Sequence, residues 1–231
     1  MGPLWRDAPV GPYPVPNPTG NHGIGKPLDR ESYNLGVKEV AMIFDDGPDL
    51  GNCARFLELF REIGGRATFS YIGEKVDASP ELARAAFEAG HEIMNHTYTH
   101  PRLPELPDDQ IVEEIRKTQE AVLRATGKAP ERFWLPYGAF DDRVLATIEA
   151  CGSPKNYFAN DVEFVSTDDW NEAIANEETI ERAALSIKSD RAVVLGHEWP
   201  KATIAILPSI LGKLKKRGYR FVTVGDLSET L

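Results

Sequence analysis

From residue 37 onward, apolar stretches of strand length alternate with amphipathic stretches of helix length, and this alternation constrains the fold more than any other feature. Strands are predicted at 37–44, 67–72, 91–95, 132–135, 192–195 and 219–224, where β-branched and aromatic residues concentrate. Helices are predicted at 53–63, 80–89, 108–126, 141–151, 178–187 and 204–216. Gly64-Gly65, Gly90, Gly127 and Gly152 stand where four of these helices should stop. Strands separated by helices make a parallel sheet, either closed into a barrel or open and doubly wound. Residues 1–36 are different in kind. Seven prolines fall between Pro3 and Pro27, interleaved with glycine, so this stretch reads as an extended N-terminal arm laid on one domain spanning 37–231.

Composition removes several classes of function. Thirty-six acidic residues against 26 basic ones leave a net charge of −10, which is no footprint for a phosphate backbone, so nucleic acid is not an expected partner. No uncharged run approaches the roughly 20 residues that cross a bilayer, and a chain that is 42% hydrophobic has enough apolar surface for a folded core. The charged surface suggests a monomer. The first ten residues hold no apolar signal core, so the chain reads either as cytoplasmic or as a protein whose export signal has been removed. Two cysteines are too few for a disulfide framework or a thiolate metal site. Cys53 opens one predicted helix and Cys151 closes another, which puts them at opposite ends of the domain and predicts no bridge.

On this layout the unusual polar residues gather at one face. Asp45-Asp46 follow the first strand, His96 and His100 the third, and Pro136-Tyr137-Gly138 the fourth. Asp168-Asp169-Trp170 follow a fifth segment, and His197 follows the strand at 192–195. All lie past the C-terminal ends of strands, where parallel α/β folds build their sites. Taken singly, each has an ordinary structural reading: a turn, an exposed histidine pair, a core histidine, a core tryptophan. Taken together they make a chemical set. One carboxylate and two imidazoles suit a divalent cation with open positions. A second carboxylate beside water at that cation suits a general base, and a separate histidine a general acid. This is equipment for metal-assisted hydrolysis, and the acid would be needed if the bond were an amide, whose amine must leave with a proton.

These residues resemble the polysaccharide deacetylases, the NodB-homology or carbohydrate esterase family 4 domain, over about residues 37–226. Phe44-Asp45-Asp46-Gly47-Pro48 matches that family's first motif, and Gly90 to Ile93 leading to Asn95-His96-Thr97 and His100-Pro101 its second. Pro136-Tyr137-Gly138 carries the core of the third, Asp169-Trp170 the end of the fourth, and Leu195-Gly196-His197 the fifth. The resemblance implies a distorted (β/α)7 barrel. It implies Asp45 as base, His197 as acid, and Asp46, His96 and His100 as ligands of one divalent ion, usually zinc, with cobalt or nickel able to substitute. The Tyr137 N–H would stabilise the oxyanion beside Pro136, and Leu195 and Trp170 would line a pocket for the acetyl methyl. The implied substrate is an N-acetylglucosamine-containing glycan or oligosaccharide. The alternatives are an acetyl ester on a polysaccharide such as xylan, or carbohydrate binding without turnover.

Two positions depart from the family pattern. Trp134 stands where the family has an arginine that pairs with the base, and Ser166 where it has an aspartate expected to pair with the acid. Arg132, of the same strand parity as Trp134, is the expected substitute on the base side, and Asp168 or Asp161 on the acid side. Trp134 reads either as a core residue or, with Trp170, as an aromatic face for a sugar ring.

Overall fold

The six predicted strands are present, with two more at 155–156 and 163–166 that were not predicted, in a computed structural model that describes residues 37–150, 155–156 and 162–229. They are β1 (Lys38–Gly47), β2 (Thr68–Tyr71), β3 (Glu92–Asn95), β4 (Arg132–Phe133), β5 (Lys155–Asn156), β6 (Glu163–Ser166), β7 (Arg191–His197) and β8 (Tyr219–Val222). Between and after them run α1 (Cys53–Ile63), α2 (Gly73–Ala78), α3 (Pro80–Glu88), α4 (Asp108–Thr126), α5 (Asp142–Ala150), α6 (Glu177–Ala184), α7 (Lys201–Lys216) and α8 (Val224–Glu229). The arm at 1–36, Cys151, Gly152 and Asp161 lie outside the described residues. No helix among the described residues is long and apolar enough to cross a membrane.

All pairings are parallel, in the order β5-β4-β3-β2-β1-β7-β6. β8 pairs with residues 38–41 of β1, on the edge whose upper half, from Ile43, pairs with β2. This is the distorted (β/α)7 barrel that the resemblance implied, with β5 and β6 at the sheet edges.

Strand alternation sorts the core into two layers. Val40, Met42 and Phe44 point outward and pack with Phe56 and Phe60 of α1, Phe69 of β2, and Leu207 and Leu211 of α7. Phe44 meets Phe56 edge-on with centroids 4.6 Å apart, a preferred aromatic geometry. Ala41, Ile43, Met94, Trp134, Val193 and Leu195 point inward and fill the barrel, with Val224 and Leu227 of α8 closing its lower mouth. Below Met94 and Trp134 on the same face, Arg132 and Glu92 form an ion pair at 2.8 Å. The inward column thus runs from that ion pair through an apolar middle to Asp45, His96 and His197 at the top.

Helix ends follow the glycines. Gly64 after α1 and Gly127 after α4 adopt φ of +67° and +81°, the left-handed conformation that lets a chain leave a helix and that only glycine enters freely. Two short helices were not legible in advance. α2 and α8 have six residues each, too few for an amphipathic period to register.

Candidate metal centre and active site

Strand parity would send Asp45 and Asp46 to opposite faces of the sheet. Asp45 has the inward parity of Ala41 and Ile43 and pairs in register with His197 on β7. Asp46 would point outward, but its backbone turns to φ +64° and the register with β2 slips between Phe44 and Gly47. The local kink turns the second carboxylate back over the barrel mouth. Among the described residues, Asp46, Thr97, His100, Tyr137 and Asp168 are the non-glycine residues of positive φ, and all lie at or just past the C-terminal ends of strands. Backbone strain of this sort gathers where function dictates side-chain direction.

Asp46, His96 and His100 converge. Asp46 Oδ1 lies 3.4 Å from His96 Nε2 and 3.2 Å from His100 Nε2, and the two ring nitrogens are 3.1 Å apart. Tetrahedral ligands at about 2.0–2.1 Å from a zinc-like ion stand about 3.3 Å from one another, so the spacing fits such an ion. Two further features fit. Asp46 Oδ1 is buried without a hydrogen-bond partner. His96 Nδ1 lies 2.9 Å from the Trp134 carbonyl, which can only accept, so Nδ1 carries the proton and Nε2 offers its lone pair to the cluster. Charge balance points the same way. Burial and the neighbouring His96 push the His100 imidazole down to about 3, which leaves it neutral. Burial opposes charge on His96, yet the carboxylates of Asp45 and Asp46 outweigh it and raise its pKa. Burial likewise opposes charge on Asp46, but the imidazoles of His96, His197 and His100 around it hold its carboxyl well below the carboxylate range. The cluster attracts positive charge, which a divalent ion supplies.

Asp45 and His197 stand beside this cluster, each buried and each with its own partner. Trp134 Nε1 donates to Asp45 Oδ2 at 2.8 Å. Burial pushes the Asp45 carboxyl up to about 6 against the pull of His96 and His197. On the other side, His197 Nδ1 lies 2.7 Å from Asp169 Oδ1, while Asp169 Oδ2 accepts from the His197 backbone N–H (2.8 Å) and from Thr203 Oγ1 (2.6 Å). Burial would lower His197, but Asp169 overrides it and lifts the imidazole to about 9. His197 Nε2 is left facing the cluster, 4.0 Å from Asp46 Oδ2.

The partners differ from those expected. Arg132 does not reach Asp45; it is held lower in the barrel by Glu92. Trp134 takes that position: it is buried and its indole N–H is committed to Asp45, so it stands behind that carboxylate and not on an open aromatic surface. Asp168 accepts from Ser166 Oγ at 2.7 Å, and the partner of His197 is the neighbouring Asp169. Leu195 lies one inward position below His197 and packs in the same cluster as Trp134 and Met94. Pro136 is buried, whereas Tyr137 is 39% exposed at the mouth with its ring 4.5 Å from that of His100. The N–H groups of Gly138 and Ala139 are used by the carbonyls of Leu135 and Pro136 in the same turn. Trp170 is partly exposed, with a buried Nε1 that has no protein partner. Thr203, Lys75 and Trp199 were not singled out in the sequence. Lys75 Nζ donates to the Asp46 carbonyl at 2.6 Å and Trp199 Nε1 to Asp46 Oδ2 at 3.2 Å. Only the nearness of Trp199 to His197 in the run Gly196-His197-Glu198-Trp199 hinted at a role.

The geometry agrees with comparisons to known proteins. A family described as polysaccharide deacetylase matches residues 32–154. The peptidoglycan-N-acetylglucosamine deacetylase PgdA of Listeria monocytogenes is 34% identical over 190 residues, 82% of this chain and 39% of that protein. The chain therefore spans well under half the length of that relative. A peptidoglycan-N-acetylglucosamine deacetylase of Bacillus cereus is 33% identical over 193 residues, covering 82% of this chain and 88% of its own length. The structure of peptidoglycan deacetylase PdaC from Bacillus subtilis superposes with a TM-score of 0.76 at 27% identity, covering 84% of this chain and 92% of that one.

Proposed function

Since the chain belongs to the polysaccharide deacetylase family, we propose that it removes acetyl groups from N-acetylated amino sugars of a peptidoglycan-type glycan, with Asp45 as base and His197 as acid. The relatives named for N-acetylglucosamine deacetylation support that substrate class. One observation carries the reading: a three-donor cation cluster lies beside a buried carboxylate and a buried imidazole, each supplied with its own orienting partner.

Asp46, His96 and His100 would hold one divalent cation, for which zinc fits the donor set and spacing. Bound there, such an ion would supply Lewis acidity toward the acetyl carbonyl and the attacking water. Asp45 takes a proton from the attacking water, and the Trp134 N–H fixes the carboxylate in position to do so. The Tyr137 N–H, in the turn at φ +58°, donates to the acetyl oxygen as charge develops on it. His197 gives its Nε2 proton to the departing sugar nitrogen, while Asp169 steadies the imidazolium through Nδ1. The products are acetate and a free amine. Leu195 and Trp134 form the apolar floor next to Asp45, and Trp170 flanks the methyl, a wall that disfavours bulkier acyl groups.

The deciding experiment is acetate release from N-acetylglucosamine oligomers by metal-stripped protein, before and after adding zinc or cobalt. Release that depends on the metal is the expected result. Protein that binds zinc and sugar yet releases no acetate with any metal would overturn the reading in favour of carbohydrate binding alone.

A further inference from the structure

Asp46 is held by residues to which the roles above give no part. Its two carboxylate oxygens face different partners. Oδ1 lies 3.4 and 3.2 Å from the two histidine Nε2 atoms, and Oδ2 accepts the Trp199 indole N–H at 3.2 Å. Without that bond, rotation of the carboxylate would let it turn both oxygens toward a cation or swing toward His197 Nε2, 4.0 Å away.

The indole is itself firmly placed. The Glu198 N–H donates to the Asp45 carbonyl at 3.1 Å, extending the β1–β7 ladder by one residue, and Asn52 Nδ2 donates to the Glu198 carbonyl at 2.9 Å. Pro200 follows, and α7 begins at Lys201. Under the turn, Gly47 packs so closely that a Cβ there would lie 2.0 Å from Glu198 Oε2 and 2.5 Å from Tyr71 Cε1. Lys75 fixes the Asp46 carbonyl from the other side. Backbone and carboxylate are thus restrained separately.

We propose that Trp199 is a positioning residue of the metal centre: its N–H holds Asp46 Oδ2 so that Oδ1 alone is offered to the ion. This rests on the reading of Asp46 as a metal ligand. A ligand aligned in advance gives up less freedom on binding, and removal of such an outer partner typically weakens metal affinity about 10–100-fold. The indole ring also packs at a 59° tilt against His197, with centroids 5.9 Å apart, so a test must remove the N–H and keep the ring.

The test is zinc affinity of the full chain, measured by competition with a chromophoric chelator, for the native protein, Trp199→Phe, Asp46→Ala, and a variant with 3-benzothienylalanine at position 199. The last keeps the shape of the indole and replaces N–H by sulfur, and it decides the matter if the Phe variant packs poorly. The expected result is zinc binding weakened about 10-fold or more. The thermal midpoint of the metal-free protein and KM for an N-acetylglucosamine oligomer at saturating zinc stay unchanged. Unchanged zinc affinity in the isostere, with binding abolished in Asp46→Ala, overturns the role of Trp199 and leaves the metal reading intact. Equal zinc affinity in native protein and Asp46→Ala overturns both. Weaker zinc binding that only tracks a lowered metal-free midpoint assigns Trp199 to structure, and a raised KM with unchanged zinc affinity assigns it to the sugar; either overturns the proposal.

Discussion

Asp45 and His197 sit opposite each other in register on neighbouring strands, yet the two sides of the site are held by opposite means. Asp45, the proposed base, has a neutral donor, the Trp134 indole; His197, the proposed acid, has a carboxylate acceptor, Asp169, itself fixed by Thr203 and a backbone N–H. A neutral donor orients a carboxylate and offsets only part of its burial, so Asp45 stays raised at about 6. A buried anion does more than orient, lifting His197 to about 9. The required state, with the base ionised and the acid protonated, therefore exists above the first value and below the second. Activity should follow a bell in pH with those groups as its limbs. A bound divalent cation favours the carboxylate and disfavours the imidazolium, so in the loaded protein both limbs move down.

The largest effects come from breaking either side outright. Asp45→Asn leaves an acceptor for the Trp134 N–H and leaves Asp46, His96 and His100 untouched, so zinc should bind as before. The rate should fall about 10²–10⁴-fold, the usual share of a general base. Zinc affinity and acetate release measured on one preparation check this; loss of both together would mean the two aspartates have been assigned the wrong way round. Asp169→Asn comes next. It removes the charge that raises His197, so the alkaline limb moves to lower pH and amide turnover falls by about 100-fold. Turnover of an acetyl ester should fall less, because an alkoxide leaves with less help than an amine.

Trp134→Phe tests the neutral side and should cost less, about 10-fold, because it removes orientation without removing a charge. Its signature is the reverse of the Asp169 variant. The indole bond lowers the Asp45 pKa, so losing it moves the acidic limb up and leaves the alkaline limb in place. A Trp134→Phe variant with an unmoved acidic limb would show that the indole does not partner the base. The contrast between the two sides would then vanish.

How far the sequence revealed this site depends on what kind of information each residue carries. The residues that take part in the chemistry stand at the ends of predicted strands, and strand periodicity places Asp45, His96 and His197 on one face without further help. Asp46 needed motif resemblance, because parity alone sends it outward; its return depends on a backbone angle that periodicity does not encode. The partners were harder. Arg132 has the parity expected of a substitute for the family's arginine, but parity does not report height in the barrel, where Glu92 captures it. Trp134 reads as a core or sugar-facing aromatic because its single N–H is invisible to a hydrophobicity pattern. Asp169 lay within a matched motif, yet which of several nearby carboxylates meets a histidine is decided by a turn at Asp168 of φ +51°, another feature local sequence does not announce.

That turn gives the smallest predicted effect and the sharpest check on the acid side. From sequence alone, Ser166→Asp restores a family carboxylate and should leave activity equal or higher. The structure reverses the sign. Ser166 Oγ donates to Asp168 Oδ1 at 2.7 Å and accepts the Asp168 N–H at 3.2 Å, so it braces the residue just before the acid's true partner. A carboxylate there has no proton to donate and sets a like charge beside Asp168, so the turn carrying Asp169 loosens. The loss should be about 2–5-fold in kcat, the scale of one ordinary hydrogen bond of about 0.5–1 kcal/mol. The alkaline limb should not move, since Asp169 still faces His197. Ser166→Ala, which removes the brace without adding charge, should fall between the variant and the native enzyme. A gain in rate for Ser166→Asp, with the alkaline limb moved upward, would instead mean that the new carboxylate reaches His197 and that the acid side has room for a second anion.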